Sequence, residues 1–432
     1  VRRPTNERGH LTIGGIDATV LADTYGTPLY VYDVEKIREN ARSFVRTFEA
    51  LDVKAQVAYA SKAFSSIAML QVAKEEGLSL DVVSQGEMYT AIEADFPPEK
   101  MHLHGNNKSV EELEMAIDMG IGCIVVDNFY ELDLLEALLK EKEKRIDVLL
   151  RVTPGIEAHT HDYILTGQED SKFGFDLSNG QAEAALKQLL HHDQILLKGL
   201  HCHIGSQIFE TDGFIMAVRK LFDALEGWRD EHGFIPEVMN LGGGFGIRYT
   251  SEDEPLPLNM YVNELVKEVK RQAYDRDFEL PEIWIEPGRS IVGDAGVTLY
   301  SVGSIKRIPD VRTYIAVNGG MTDNLRPALY NAKYAAAVAN RMNEPLCETV
   351  SIAGKCCESG DMLIWDLEVP EIQSGDLLAT FSTGAYGYSM ANHYNRFPKA
   401  AVVFVENGEH QLVIQRESYQ DTTRFDLPYT RG

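Results

Sequence analysis

The chain has 432 residues, 44% of them apolar, and a formal net charge of −25. That length predicts a globular protein of two domains, since single cores rarely grow past about 250–300 residues, and the charge excludes a nucleic-acid binder, which needs a concentrated basic surface. No apolar run approaches a membrane span, and an acidic protein is disfavoured on anionic membranes, but a few buried arginines could still prepare a cleft for an anionic small molecule.

The first stretch, Val1 to Leu11, is polar and lacks the apolar core of a secretory signal. Leu11 to Tyr32 reads as β structure. From Lys54 to Ser290 one unit repeats: a short β-branched run, a polar turn, an amphipathic helix. Strands are predicted at Ala55–Ala60, Leu78–Val83, Lys100–His104, Gly122–Val126, Asp147–Val152, Leu196–His203, Glu237–Leu241 and Glu282–Ile285. Between them, Ser109 with Glu112 forms a capping box for a helix closing near Gly120. Asn128 with Glu131 opens another helix, and Gly77 ends a third.

Eight strands alternating with helices predict a (β/α)8, TIM-like barrel, because the glycine fingerprint of a doubly wound sheet is absent. In a barrel all strand C-termini meet at one mouth. Lys62 follows the first strand and Asp81 and Ser84 the second. His203 and Ser206 close the sixth, Gly242-Gly243-Gly244 the seventh and Glu286 the eighth. After Ser290 the period changes to short β segments at Gly296–Ile308, Arg312–Asn318, Thr349–Ile352, Asp376–Phe381 and Ala400–Val405, a second, all-β domain. The domains are expected at 36–290 for the barrel and at 1–35 with 291–432 for the β part.

Certain residue types at these ends carry chemistry. Lys62, flanked by Tyr59-Ala60-Ser61 and Ala63, is expected to be partly desolvated, with a lowered pKa and a nucleophilic amine. Gly242 to Gly246 matches neither a P-loop nor a dinucleotide fingerprint. After the seventh strand of a barrel, though, such glycines let backbone N–H groups approach phosphate. Glu286 ends an Ile-Trp-Ile run, so it should be buried and in need of a partner, for which a protonated pyridine nitrogen would serve. His201-Cys202-His203 invites a metal-hydrolase reading, reinforced by His102, His104, His159 and His161. That reading wants an Asp where Glu286 stands and leaves Lys62 and the glycines without a role, so no metal is expected. The five cysteines, Cys123, Cys202, Cys347, Cys356 and Cys357, show neither disulfide nor zinc spacing, which points to a reducing, cytoplasmic compartment.

Taken together, Tyr59-Ala-Ser-Lys-Ala63, Ser171-Lys-Phe-Gly-Phe175, His203-Ile-Gly-Ser-Gln207, Gly242-Gly-Gly-Phe-Gly246, Glu286-Pro-Gly-Arg-Ser290, Arg326-Pro-Ala-Leu-Tyr330, Cys357-Glu-Ser-Gly-Asp361 and Gly384-Ala-Tyr-Gly387 resemble the fold-type III pyridoxal-phosphate decarboxylases. Within that family they are most similar to the branch acting on diaminopimelate. The resemblance implies an alanine racemase-like architecture whose β domain completes the active site, and pyridoxal 5'-phosphate as cofactor. It implies that Lys62 holds the cofactor covalently, His203 stacks on its ring and Glu286 pairs with the ring nitrogen. Ser206, Gly243, Gly244 and the Glu286-Pro287-Gly288-Arg289 turn would hold the phosphate with Tyr386, and Asp81 would line the pocket. Arg289, Arg326, Tyr330, Glu358 and Tyr386 match substrate-binding positions. Cys357 matches a proton donor that enters from a partner subunit, implying a homodimer with shared sites.

Phe64, Gln85 and Lys355 depart from the family pattern without removing a reacting group. The expected reaction converts meso-2,6-diaminopimelate to L-lysine and CO2. A decarboxylase of ornithine, arginine or a carboxylated polyamine is the alternative, since only the distal end of the substrate separates them. A racemase would need a second acid/base, and a non-catalytic regulator would not need both Lys62 and Cys357.

Overall fold

The computed structural model describes residues 3–156 and 170–430; His159 and His161 lie outside the described residues. Eight parallel strands form a closed ring: β1 (Ala55–Ala60), β2 (Ser79–Val82), β3 (Met101–Leu103), β4 (Cys123–Val126), β5 (Ile146–Thr153), β6 (Ile195–His201), β7 (Val238–Asn240) and β8 (Glu282–Ile285). The ring closes where Ile283, Trp284 and Ile285 pair with Ala55, Gln56 and Val57. A short strand, Phe175–Asp176, pairs in parallel with the end of β5 at Val152 and Thr153. Strands buried on both faces are apolar almost throughout, and all four residues of β4, Cys-Ile-Val-Val, are buried.

Helix starts are written beside the strand ends. Ser66, Ser84, Ser109 and Asn128, following β1 to β4, each accept the backbone N–H three residues on, from Met69, Glu87, Glu112 and Glu131. Each such cap stabilises by about 1 kcal/mol, and together they fix where these four helices begin. Inside the ring, Cys123, Val125, Leu149, Val238 and Trp284 form an apolar cluster, with His102 stacked on Trp284 at 4.3 Å.

By contact the chain divides into two compact units, one made of residues 38–247 and 254–291, the other of the N-terminal residues through Ile37, 248–253 and the residues from Val292 onward. The second unit is a sheet centred on the long strand Gly296–Ile308. One half of that strand pairs with Leu29–Asp33 and Leu377–Phe381, the other with Arg312–Val317. The register shifts between Val302 and Ile305, which lets one strand serve both sets of neighbours.

Two expectations are corrected. The region Leu11–Tyr32 is not all β: a helix, Ala18–Tyr25, separates Ile16–Asp17 from Leu29–Asp33. Asp17 caps it through Thr19 N at 2.8 Å, and Ala18 and Leu21 are buried, so a local cap and an apolar stripe outweigh the β-branched residues. The sixth strand stops at His201, leaving His203 in the loop beyond.

Candidate active site

Register places Arg151, His201 and Asn240 side by side on β5, β6 and β7, so their side chains form one polar layer inside the barrel. All three are buried, and Glu286, just past β8, lies buried above them. Glu286 Oε1 accepts Asn240 Nδ2–H at 2.7 Å and Oε2 meets His201 Nε2 at 2.9 Å. His104 Nε2 comes within 2.7 Å of Oε1 as an ion pair, its N–H not aimed along a hydrogen bond. A lone buried carboxylate would cost several kcal/mol, whereas each contact to a charged group returns about 1.5–3 kcal/mol. Burial pushes the Glu286 pKa up, but His104 and His201 outweigh it and hold the carboxyl well below its usual range. Glu286 is therefore an anion.

Its neighbours divide their charges. Burial depresses His201 to about 4, leaving it neutral. His104 is buried too, yet Asp81, 3.8 Å away, and Glu286 raise its pKa. Burial raises the pKa of Asp81, against the pull of His104, Lys62 and Arg151. Arg151 lies over the Phe173 ring at 4.3 Å.

The loop after β7 tolerates only glycine. A Cβ at Gly243 would meet Glu286 O at 2.1 Å, and one at Gly244, whose φ is +96°, would meet Gly205 O at 2.3 Å. The loop is tied down by Asn240 Oδ1, which accepts Gly242 N–H at 2.9 Å, and by Glu286 N–H, which donates to Gly242 O at 2.8 Å. His203 Nδ1 accepts Gly243 N–H at 3.2 Å. Burial, then Lys62 and Arg151, press the His203 pKa well below its usual value, so the ring is neutral with its proton on Nε2. Arg289, on the short helix Arg289–Val292 behind Pro287 and Gly288, donates to Ser206 Oγ at 2.9 Å.

Lys62 sits in a 3-10 turn directly after β1. It is exposed, not partly desolvated as expected, while Ser61, Ala63 and Phe64 take the buried positions. Its charge is still felt at Asp81 and His203, lowering both pKa values. Ser61 Oγ donates to Asp81 O at 2.8 Å, linking the β1 and β2 ends. Nearby Glu87 is raised to about 7 by burial and by Asp81.

The remaining sequence-predicted residues belong to the β unit. Arg326 is buried, donates to Tyr334 Oη at 2.6 Å and lies 4.9 Å from the Tyr249 ring. Burial alone would lower its pKa, but the facing Tyr249 and Tyr334 raise it. Only one of its five donors is thus engaged by Tyr334. Tyr330 closes the same short helix, Arg326–Tyr330, and Tyr386 is half-buried in a left-handed conformation, φ +58°. The adjacent cysteines differ: Cys356 is buried and raised to about 12 by burial and Asp361, while Cys357 and Glu358 are exposed.

Sequence reasoning left out Asn240, Arg151 and Glu87 and treated His104 only as a metal ligand. The signal was present for two of them. An Asn inside Val238–Asn240 and an Arg inside Leu149-Leu150-Arg151-Val152 are polar groups in strands buried on both faces, and such groups need partners.

An ionised Glu with a neutral His, a glycine-only cradle and a lysine at the mouth of a (β/α)8 barrel fit the donors and acceptors of pyridoxal phosphate, the chemistry of a pyridoxal-dependent enzyme. Carboxylates offer about four lone-pair sites, and hydrogen bonds from Asn240 and His201 use two of them, which leaves room for a ring N–H. Residues 34–293 match the family described as pyridoxal-dependent decarboxylase, pyridoxal binding domain. Diaminopimelate decarboxylase of Bacillus subtilis is 66% identical over 427 residues, 99% of this chain and 97% of that protein. The crystal structure of diaminopimelate decarboxylase from M. jannaschii in co-complex with L-lysine superposes with a TM-score of 0.93 at 35% identity, covering 99% and 98% of the two chains. Lysine/ornithine decarboxylase from Vibrio vulnificus, 20% identical with a TM-score of 0.76 over 90% of this chain and 97% of that one, shares the fold. The chain belongs to the diaminopimelate decarboxylase branch of the pyridoxal-dependent decarboxylases.

Proposed function

We propose that this enzyme decarboxylates meso-2,6-diaminopimelate to L-lysine and CO2, the final step of lysine synthesis. The observation that carries the reading is the buried, ionised Glu286 with acceptor capacity to spare. Bound pyridoxal phosphate supplies an electron sink for the pair left behind when CO2 departs. Glu286 would keep a proton on the ring nitrogen and so deepen that sink. Neutral His203 offers a flat apolar face without competing charge. Gly243, Gly244, Ser206 and the Pro287-Gly288-Arg289 turn would bind the cofactor's phosphate with Tyr386, and Lys62 would hold the cofactor through its side-chain amine. Cys357 would give its thiol proton to the carbon that lost CO2. Asp81 orders the pocket wall through His104.

Arg326, with Arg289, recognises the distal carboxylate by forked hydrogen bonds, and Glu358 the distal ammonium, with Tyr330 and Tyr386 beside them. The test is kcat/KM for meso-diaminopimelate, ornithine and lysine. A charged donor left unsatisfied costs several kcal/mol, so diaminopimelate should lead by about a thousandfold or more, and Arg326→Ala should narrow that lead. Comparable wild-type values for ornithine would overturn the substrate while leaving the cofactor chemistry standing.

We also infer a homodimer in which Cys357 serves the partner's Lys62. Mixing inactive Lys62→Ala and Cys357→Ala proteins should then restore part of the activity, up to about a quarter of wild type when hybrids form at random. No recovery after verified subunit exchange would exclude a shared site. A cytoplasmic setting accords with five unpaired cysteines and with the finding that no described helix is long and apolar enough to cross a membrane.

A further inference from the structure

The exposed Cys357 is held by its backbone. Cys356 N–H donates to Asp361 Oδ2 at 2.8 Å, within the same loop, and Cys357 N–H donates to Asn395 Oδ1 at 2.8 Å, from 38 residues further along. Asp361 also accepts Met321 N–H at 2.6 Å, so the Cys356 side of the loop is anchored in the protein interior. Asn395 is the anchor on the Cys357 side.

Asn395 reaches that position in an unusual backbone. It and Arg396 both occupy the left-handed region, φ 52° and 57°. Asparagine tolerates this conformation but arginine does not favour it, and two such residues in succession persist only where surrounding contacts impose them. Those contacts come from the C-terminal segment. Arg396 donates to Thr422 O at 2.7 Å and pairs with Asp426. Upstream, Glu417 Oε2 accepts Lys399 N–H at 2.8 Å and meets His393 Nε2 at 2.6 Å. Ser418 and Asp421 cap the short helix Tyr419–Thr423 that carries Thr422. Residues 417–426 thus grip the turn on both sides of Asn395.

We propose that Asn395 is a positioning residue for Cys357, and that the 417–426 segment, through Arg396, keeps Asn395 in the conformation that aims it. This rests on Cys357 being the proton donor. The role separates from plain stability because two substitutions split acceptor from backbone. Asn395→Gly keeps the left-handed conformation accessible and removes the acceptor. Asn395→Asp keeps both.

The experiment measures, on purified holoenzyme, kcat and KM for diaminopimelate together with the rate of Cys357 alkylation by iodoacetamide. The modified cysteine is located by mass spectrometry, and the exposed Cys347 serves as internal reference for the fold. Asn395→Gly should lower kcat about tenfold with KM within about twofold, and change the Cys357-to-Cys347 alkylation ratio at least about threefold. Asn395→Asp should stay within about twofold of wild type in kcat. An unchanged ratio in Asn395→Gly, or an Asp variant as impaired as the Gly variant, overturns the proposal. Full turnover in Cys357→Ala would instead remove the donor reading, while the alkylation ratio still decides the positioning.

Discussion

The barrel mouth and the β unit each bury a carboxylate, and the two are held in different protonation states. Glu286 is surrounded by His104, His201 and Asn240, and its pKa lies well below the usual range. Asp323 is just as buried, and Gly320 N–H, at 2.9 Å, with Arg416 and Thr322, pulls its pKa down without overcoming burial. Burial, with Asp361 nearby, raises it to about 7. Depth is the same in both places; the partners decide the charge. A site that must keep a cofactor nitrogen protonated needs the first kind of surroundings. A turn can bury a carboxyl whose pKa is pushed up toward neutrality.

Paired substitutions sharpen that contrast. Glu286→Gln keeps shape and removes charge, so kcat should fall at least about a hundredfold, since electrostatic stabilisation of this kind is worth roughly 3–4 kcal/mol. The raised pKa of His104, followed by imidazole NMR, should fall as well. Little loss of turnover would mean that the anion is not used. Asp323→Asn should leave turnover nearly intact and act instead on stability. A carboxyl whose folded pKa is raised binds more protons folded than unfolded, so its contribution to stability falls as pH rises from about 4 to about 7. Relative to wild type, Asp323→Asn should therefore gain on the order of 2 kcal/mol in urea unfolding on going from pH 5 to pH 8. Glu286, with its pKa depressed, has the opposite sign: its contribution is present above the unfolded value and is lost as pH falls through the folded one. Equal pH dependence in wild type and Asp323→Asn would break the comparison.

How far the sequence foretold this is itself instructive. Strand ends were legible because a β-branched run followed by Ser or Asn writes both the stop and the next helix cap, as at Val82–Ser84 and Val126–Asn128. Lys62, His203, Ser206, Gly243, Gly244, Glu286 and Arg289 could therefore be assigned to one mouth before any coordinates. What stayed hidden was pairing across the ring. That His104 and Asn240 would converge on Glu286 depends on the register of β3, β7 and β8, which no local pattern carries. The exposure of Lys62 was missed because apolar flanks were taken as a sign of a buried side chain, whereas those neighbours are themselves buried and Lys62 is not. The left-handed Asn395–Arg396 turn had no signal either, as it contains no glycine.

The central claim is that the barrel mouth holds pyridoxal phosphate on Lys62. Borohydride reduction of the purified enzyme, followed by peptide mass spectrometry, tests it most directly. The account predicts loss of the visible absorption and a phosphopyridoxyl group on the peptide containing Lys62. An adduct on Lys172 or another lysine, or no adduct together with a divalent ion bound by His104, His201 and Glu286, whose ligand atoms lie within 4.8 Å of one another, would contradict it.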